Sequence, residues 1–301
     1  MSQENLPLVS VIIPCYNHEN FVKDCIQSVI DQTYQNIELI VIDDGSHDDS
    51  IKKIQEMLHI CKQRFVRFEF RYRLNKGLSA TLNEGLEWCE GEYLATFGSD
   101  DIMKAENIEK KIDFLSKRKE IGTYGVFSGY ELIDQYSHIK NISKNSYKEY
   151  SFNEILMHQF ELPAPTALLN LKKVREVGGY DANLKIEDWF MWLKLTEKGG
   201  QLVYLDKVLC QYRMHAKNTS KNIDLMYVER IKVLDQFKNS KNYLKACKNI
   251  EWYSITDSLA TNKSITFKRF FELVKSSPKE LFSKNMIRFL YYLFKNYMRI
   301  K

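Results

Sequence analysis

The sequence predicts an α/β fold: a mostly parallel central sheet flanked by helices, with a helical extension at the C-terminus. Three observations predict it. Leu8 to Ile42 runs strand, helix, strand within 35 residues, the βαβ unit whose right-handed crossover makes its two strands parallel. Apolar runs end three times on polar clusters, at Pro14-Cys-Tyr-Asn17, Asp43-Asp44 and Asp100-Asp101. In an open α/β sheet such strand ends share one rim, where ligands lie. From about Asn222 onward the pattern is helical, with no strand-like run.

Taken in order, Leu8-Val-Ser-Val-Ile-Ile13 is a β-branched strand closed by Pro14, which the interior of a central strand would not tolerate. Val22, Ile26, Val29 and Ile30 recur at helical spacing, and Ile37 to Ile42 is a second buried strand. A helix follows Asp43-Asp44-Gly45-Ser46, with Ile51, Ile54 and Leu58 on one face. Phe65 to Tyr72 is a third strand, and Asn75 to Gly85 a glycine-bearing turn into a helix ending near Cys89. Gly91 opens the strand Tyr93-Leu-Ala-Thr-Phe97, and a helix is expected from Ile102 to Leu115, burying Ile108, Ile112 and Leu115. Tyr124 to Ile133 reads as a strand, Asp134 to Tyr150 as a polar loop, and Phe152 to Phe160 as a short helix. Pro163 to Leu169 is extended and Gly178-Gly-Tyr-Asp181 a turn, before a helix from Ile186 to Lys198 stopped by Gly199-Gly200. Val203–Leu205 and Val208–Tyr212 are two short strands. The expected boundary gives an α/β domain over 7–222 and a basic helical region over 223–301.

Hydrophobic content of 44% against 28% charge describes a globular chain rather than a disordered one. The net charge of +5 is uneven: Ser264 to Lys301 holds nine Lys/Arg against Glu272 and Glu280, so everything before it is mildly acidic. The N-terminal Met-Ser-Gln-Glu-Asn has neither a basic n-region nor a long apolar run, and no stretch approaches the ~20 residues that span a bilayer. Six cysteines without Cys-x-x-Cys spacing read as reduced thiols, and the expected location is cytoplasmic, at most at the inner face of the cell membrane.

Asp100 and Asp101 close a buried strand after Gly98-Ser99. Adjacent carboxylates repel and raise each other's pKa; a divalent cation removes that cost, and oxygen ligands suit Mg²⁺ or Mn²⁺. The same pair also suits a solvated turn that caps the following helix. Glu187-Asp188 at the start of a helix complements its dipole.

Val9-Ser-Val-Ile-Ile-Pro-Cys-Tyr-Asn17, Asp43-Asp44-Gly45-Ser46, Asn75-x-Gly77 and Gly91-Glu-Tyr93 running to Ser99-Asp100-Asp101 occur in this order. Gly178-Gly-Tyr-Asp181, Glu187-Asp188-Trp189 and Tyr212-Arg-x-His215 with Asn218 and Ser220 follow. Each motif alone is weak, but together, at matching spacing over roughly 7–222, the chain resembles the family 2 glycosyltransferases of the GT-A fold. The resemblance implies inverting transfer of a sugar from a nucleotide-diphosphate sugar, UDP-linked by family habit, to an acceptor hydroxyl. It places Pro14, Tyr16 and Asn17 at the base and ribose and Asp44 against the base. Asn75, Gly77 and Ser99 join the donor site, and Asp100, with Asp101 and His215, is set at a Mg²⁺ or Mn²⁺ ion. Asp188 would be the base that takes the acceptor proton, with Glu187 beside it, and Arg213, His215 and Lys217 would face the diphosphate.

Other readings stand beside these: Asp44 as a cap of the next helix, Tyr16 as a core aromatic, His215 as a structural residue. Two positions depart from the family pattern. Gly98 stands where many members carry a third acid, and Thr81 where a basic residue is common.

The tail Arg288-Phe-Leu-Tyr-Tyr-Leu-Phe-Lys295 suits an anionic membrane interface or packing on protein; its bunched aromatics and lack of a recognition module argue against nucleic acid. The expected acceptor is a glycan or lipid-linked glycan of a surface polysaccharide. Two rivals, a nucleotidyltransferase and a non-catalytic nucleotide-sugar-binding scaffold, fit less well. The first lacks its glycine-rich basic phosphate loop near the N-terminus, and the second has no use for Glu187-Asp188.

Overall fold

The computed structural model describes residues 6–118, 122–215, 222–259 and 262–298. The chain divides into two compact units. One takes Met1–Phe152 and Phe160–Lys217; the other takes Asn153–Gln159 and Asn218–Lys301.

The first unit is built on a ten-stranded sheet. Its strands are β1 (Val9–Cys15), β2 (Ile37–Asp43), β3 (Arg67–Tyr72), β4 (Tyr93–Thr96), β5 (Ile102–Met103), β6 (Thr123–Ile133), β7 (Ile139–Ser143), β8 (Lys148–Tyr150), β9 (Leu168–Asn170) and β10 (Gln201–Arg213). The order is β3-β2-β1-β4-β9-β6-β10-β5, with β7 beside β6 and β8 beside β10. β3, β2, β1 and β4 are mutually parallel. β9 runs antiparallel to both β4 and β6, and β6 is parallel to β10. Two reversals restore the direction, so the carboxyl ends of β1, β2, β4 and β10 point the same way.

Pro14 lies inside β1, a central strand, contrary to the expectation that the strand stops before it. Phe97 N–H donates to the Ile12 carbonyl and Asp44 N–H to that of Cys15, so Ile12 and Pro14 face the β4 side. Pairing with β4 ends at Ile12, and the missing N–H of Pro14 therefore costs no ladder bond.

Four further expectations are corrected. The helix after Ser46 is two helices, Ser50–Gln55 and Leu58–Arg64, and Ile54, Met57 and Cys61 are buried rather than Leu58. Ile102 and Met103 form β5 against Cys210 and Gln211, so the next helix starts at Asn107 and Asp101 does not cap it. That helix buries Ile108, Ile112 and Leu115 as expected, and Lys111 besides. The Lys111 ammonium donates to Asn107 Oδ1 at 2.8 Å and the Thr166 carbonyl at 2.5 Å, and burial pulls its pKa down to about 7. The polar stretch 134–150 holds β7 and β8, and the two short strands after Val203 are one long β10 with register shifts around Val208.

The second unit contains the helices Ile223–Asp235, Tyr243–Ser258, Lys263–Ser276 and Lys284–Met298. Asn222 and Asn262 cap two of them, accepting from the backbone N–H groups of Leu225 and Ile265. Trp252, Ile255, Leu259, Leu273 and Phe289 form its core.

Candidate active site

The carboxyl end of β4 is the centre of the site. Gly98 begins the turn that follows it, and a Cβ there would lie 2.9 Å from Asp100 Oδ1 and 3.0 Å from Asp101 Oδ2. The absence of a third acid at this position thus leaves room for the two that remain.

Asp100 and Asp101 have different surroundings. Asp101 is buried, and its Oδ1 accepts the Arg213 backbone N–H at 2.8 Å. Burial and the charge of Asp100 push its pKa well above the carboxylate range. Burial alone would raise Asp100 too, but the His215 hydrogen bond and the neighbouring His18 and His215 bring it below its ordinary value. His215 Nε2 lies 2.8 Å from Asp100 Oδ2.

A third side chain joins this pair. Ligand atoms of His18, Asp100 and His215 all lie within 4.8 Å of one another. His18 Nδ1 is 2.7 Å from the buried Ser99 Oγ, which fixes the ring, and its backbone N–H donates to Ser50 Oγ at 2.9 Å. Phe21 stacks on His215 with centroids 5.4 Å apart. One carboxylate and two imidazoles make a fitting donor set for a divalent first-row ion. His18 follows Asn17 directly and was not singled out from sequence, whereas Asp101, expected among the ligands, is engaged elsewhere.

Arg213 sits at the end of β10 but is only 1% exposed. Its Nε donates to the Asp100 carbonyl at 2.7 Å, and one terminal nitrogen donates to the Asp134 carbonyl at 3.1 Å and Ser137 Oγ at 2.9 Å. The guanidinium lies 4.9 Å from the Phe21 ring centre. The structure therefore places Arg213 as a brace behind the Asp100 turn. Lys217, Asn218 and Ser220 lie outside the described residues.

The β1 and β2 ends form the neighbouring wall. Asn17 adopts a left-handed φ of 55°, its N–H donates to Ser46 Oγ, and its side-chain oxygen accepts His47 N–H. Ser46 in turn donates to Asp43. Tyr16 is 43% exposed and edge-on to His47, so it is not a core aromatic. Half-buried Pro14 precedes it. Asn17, His18, Phe21, Asp48, Gln135 and His215 help line a cavity of about 460 Å³, within the range of small-molecule sites.

Asp44 does not cap the helix at Ser50; it accepts from the backbone N–H groups of Lys76 (2.8 Å) and Gly77 (2.9 Å) and from Arg73. Asp44 so fixes the exposed turn carrying Asn75, and Gly77, with φ 89°, begins the helix Leu78–Trp88. Arg73 also donates to Glu84 and Thr81, so a cation does sit beside Thr81, supplied by the preceding turn.

The helix Leu78–Trp88 positions the second carboxylate pair. Ser79 donates to the Leu184 carbonyl, and Asn83 donates to the Tyr180 carbonyl and accepts its N–H. These bonds pin the turn through Gly178 and Gly179 (φ 93° and 73°) that leads into the helix Glu187–Thr196. Glu187 keeps part of its surface in solvent, yet the protein packed round its carboxyl and the Asp188 charge push its pKa up to about 8. Asp188 Oδ1 accepts the Trp189 N–H at 2.6 Å. Tyr180, which the sequence shows only within the Gly178-Gly-Tyr-Asp181 motif and without a role, is buried; its hydroxyl faces Thr96 and feels both carboxylates. Thr96 ends β4, so the second pair belongs to the same rim.

The family model for glycosyl transferase family 2 matches residues 10–177. The chain belongs to that family. An uncharacterized glycosyltransferase of Rickettsia typhi is 33% identical over 240 residues, covering 76% of this chain and 70% of the relative. Some relatives are longer: the chain spans 38% of the chondroitin synthase of Escherichia coli, at 28% identity over 273 residues. Two solved structures show the fold. Staphylococcus aureus TarS 1–349 in complex with UDP-GlcNAc matches with a TM-score of 0.59 at 15% identity, over 83% of this chain and 81% of that one. The mannosyltransferase PcManGT of Pyrobaculum calidifontis, in complex with GDP-Man and Mn²⁺, matches with 0.64 at 13% identity, over 99% and 89%. The family 2 glycosyltransferase thus has the expected GT-A fold, and no helix among its described residues is long and apolar enough to cross a membrane.

Proposed function

We propose that this glycosyltransferase is a metal-dependent, inverting hexosyltransferase that uses a nucleotide-diphosphate sugar, UDP-linked by preference. The acceptor is a hydroxyl on a glycan or lipid-linked glycan of a surface polysaccharide, reached from the cytoplasmic face. The convergence of His18, Asp100 and His215 beside the 460 Å³ cavity carries the reading. TarS binds UDP-GlcNAc and PcManGT binds GDP-Man with Mn²⁺ on the same fold, which supports a nucleotide sugar and a divalent ion here. The two imidazoles favour Mn²⁺ over Mg²⁺, which prefers an all-oxygen shell.

His18, Asp100 and His215 would hold the ion, which when bound supplies positive charge to offset the charge on the leaving diphosphate. Ser99 orients His18, and Arg213 braces the Asp100 turn from behind. Pro14, Tyr16 and Asn17 form the wall for base and ribose, while Asp44 shapes it by holding Asn75 and Gly77. Asp188 takes the proton of the acceptor hydroxyl as its oxygen forms the new bond to the anomeric carbon. The bond from that carbon to the diphosphate breaks on the opposite face, its electron pair leaving with the diphosphate. Glu187, protonated at neutral pH, lets the pair carry one charge rather than two.

The test is incubation with a nucleotide-sugar panel, Mn²⁺ and oligosaccharide acceptors, reading nucleoside diphosphate release and the anomeric configuration of the product by NMR. Product of inverted configuration supports the proposal. Retained configuration, or nucleotidyl transfer to a sugar phosphate instead, would overturn it.

A further inference from the structure

The helix Lys284–Met298 is apolar on two sides, and the fold uses only one. Inward, Phe289 is buried against Trp252 and stacks on Phe270 with centroids 5.2 Å apart, while Met286, Tyr292 and Leu293 pack around it. On the other side Ile287, Leu290, Tyr291 and Phe294 are between 49% and 70% exposed. At roughly 100° per residue these four fall within one arc of about 100°. Lys284, Lys295 and Arg288 occupy the next 60° or so, along one edge of that arc. Phe282, just before the helix, is 92% exposed and extends the apolar surface.

We infer that this face docks on an anionic lipid surface, with the helix lying in the plane of the interface. Charge decides the occupant. The stretch from Ser264 carries nine cations against two acids, so a second copy would bring like charges together, whereas anionic headgroups neutralise them. Tyrosine at headgroup level and cations whose stems lie along apolar surface fit that boundary. The helix does not span the bilayer. The inference rests on this face alone and stands apart from the transferase reading.

The experiment is flotation of the full chain with vesicles of phosphatidylcholine alone or mixed with phosphatidylglycerol. The expected result is binding to the mixed vesicles, weak binding to the neutral ones, and release by salt. Ile287→Ser with Phe294→Ser should lower partitioning about tenfold or more, with unchanged circular dichroism and melting temperature because both side chains are exposed. Arg288→Gln and Lys295→Gln should each lower it roughly fivefold. A wild-type chain that stays unbound at low salt, or a Ser double variant that floats equally well, would overturn the inference. So would a dimer seen by ultracentrifugation that the Ser substitutions abolish and vesicles do not compete with; it would assign the face to a second copy.

Discussion

His215 Nε2 and Asp100 Oδ2 lie 2.8 Å apart although 115 residues separate them in the chain. Short β5 creates this contact by pairing Ile102 and Met103 with Gln211 and Cys210, which draws the end of β4 against the end of β10. Two segments that sequence shows only as separate motifs become one side of a site.

If His18, Asp100 and His215 share an ion, alanine at any one of them should weaken Mn²⁺ binding. Loss of groups that merely orient ligands costs ~10–100-fold, so loss of a ligand should cost at least as much. Calorimetry or paramagnetic resonance of Mn²⁺ reads this without turnover. Unchanged affinity in His18→Ala would remove His18 from the set.

Asp188→Asn should fold normally and bind donor with unchanged affinity, but lose about 10²–10⁴ in kcat, the ordinary contribution of a general base. Stopped-flow turnover alongside donor titration separates the two effects. Near-normal turnover would leave Asp188 as a dipole-complementing residue only.

Glu187 gives a pH prediction. Its pKa rises from 4.5 to about 8 on folding, so between those values the folded protein holds a proton that the unfolded chain releases. Stability from this group therefore falls as pH rises through that window. Glu187→Gln should be stabilised relative to wild type more at pH ~8.5 than at pH ~5 in thermal melts. An equal difference at both pH values would refute the assignment.

Arg213 separates bracing from phosphate binding. Arg213→Ala should lower stability by about 2 kcal/mol, because a buried guanidinium that donates to two part-buried carbonyls is lost. Lysine should not restore it, since a point charge cannot span the fork that meets Asp100, Asp134 and Ser137. A stable variant with weakened donor binding would return Arg213 to the diphosphate.

The strand ends were legible in sequence because Asn17, Asp43 and Asp100 interrupt strongly apolar runs. The short edge strands were not. β7 and β8 carry Lys140, Asn141, Lys148 and Glu149, and they pair through backbone bonds that leave no hydrophobic period. β10 looked broken at exposed Asp206-Lys207, where the ladder shifts register instead of ending. The resemblance sets Arg213 at the diphosphate, but its partners are the Asp100 and Asp134 carbonyls, loop contacts that sequence does not display. His18 had one available signal, its place directly after the Pro14–Asn17 motif, and a lone histidine is ordinarily structural.

The most direct test of the central claim is thermal stabilisation by nucleoside diphosphates and nucleotide sugars with and without Mn²⁺. Ligand at 100 times its Kd adds about 2.7 kcal/mol. The account predicts a shift for one nucleoside class that requires Mn²⁺ and disappears in Asp100→Ala. A shift of equal size without metal, and in Asp100→Ala, would contradict it.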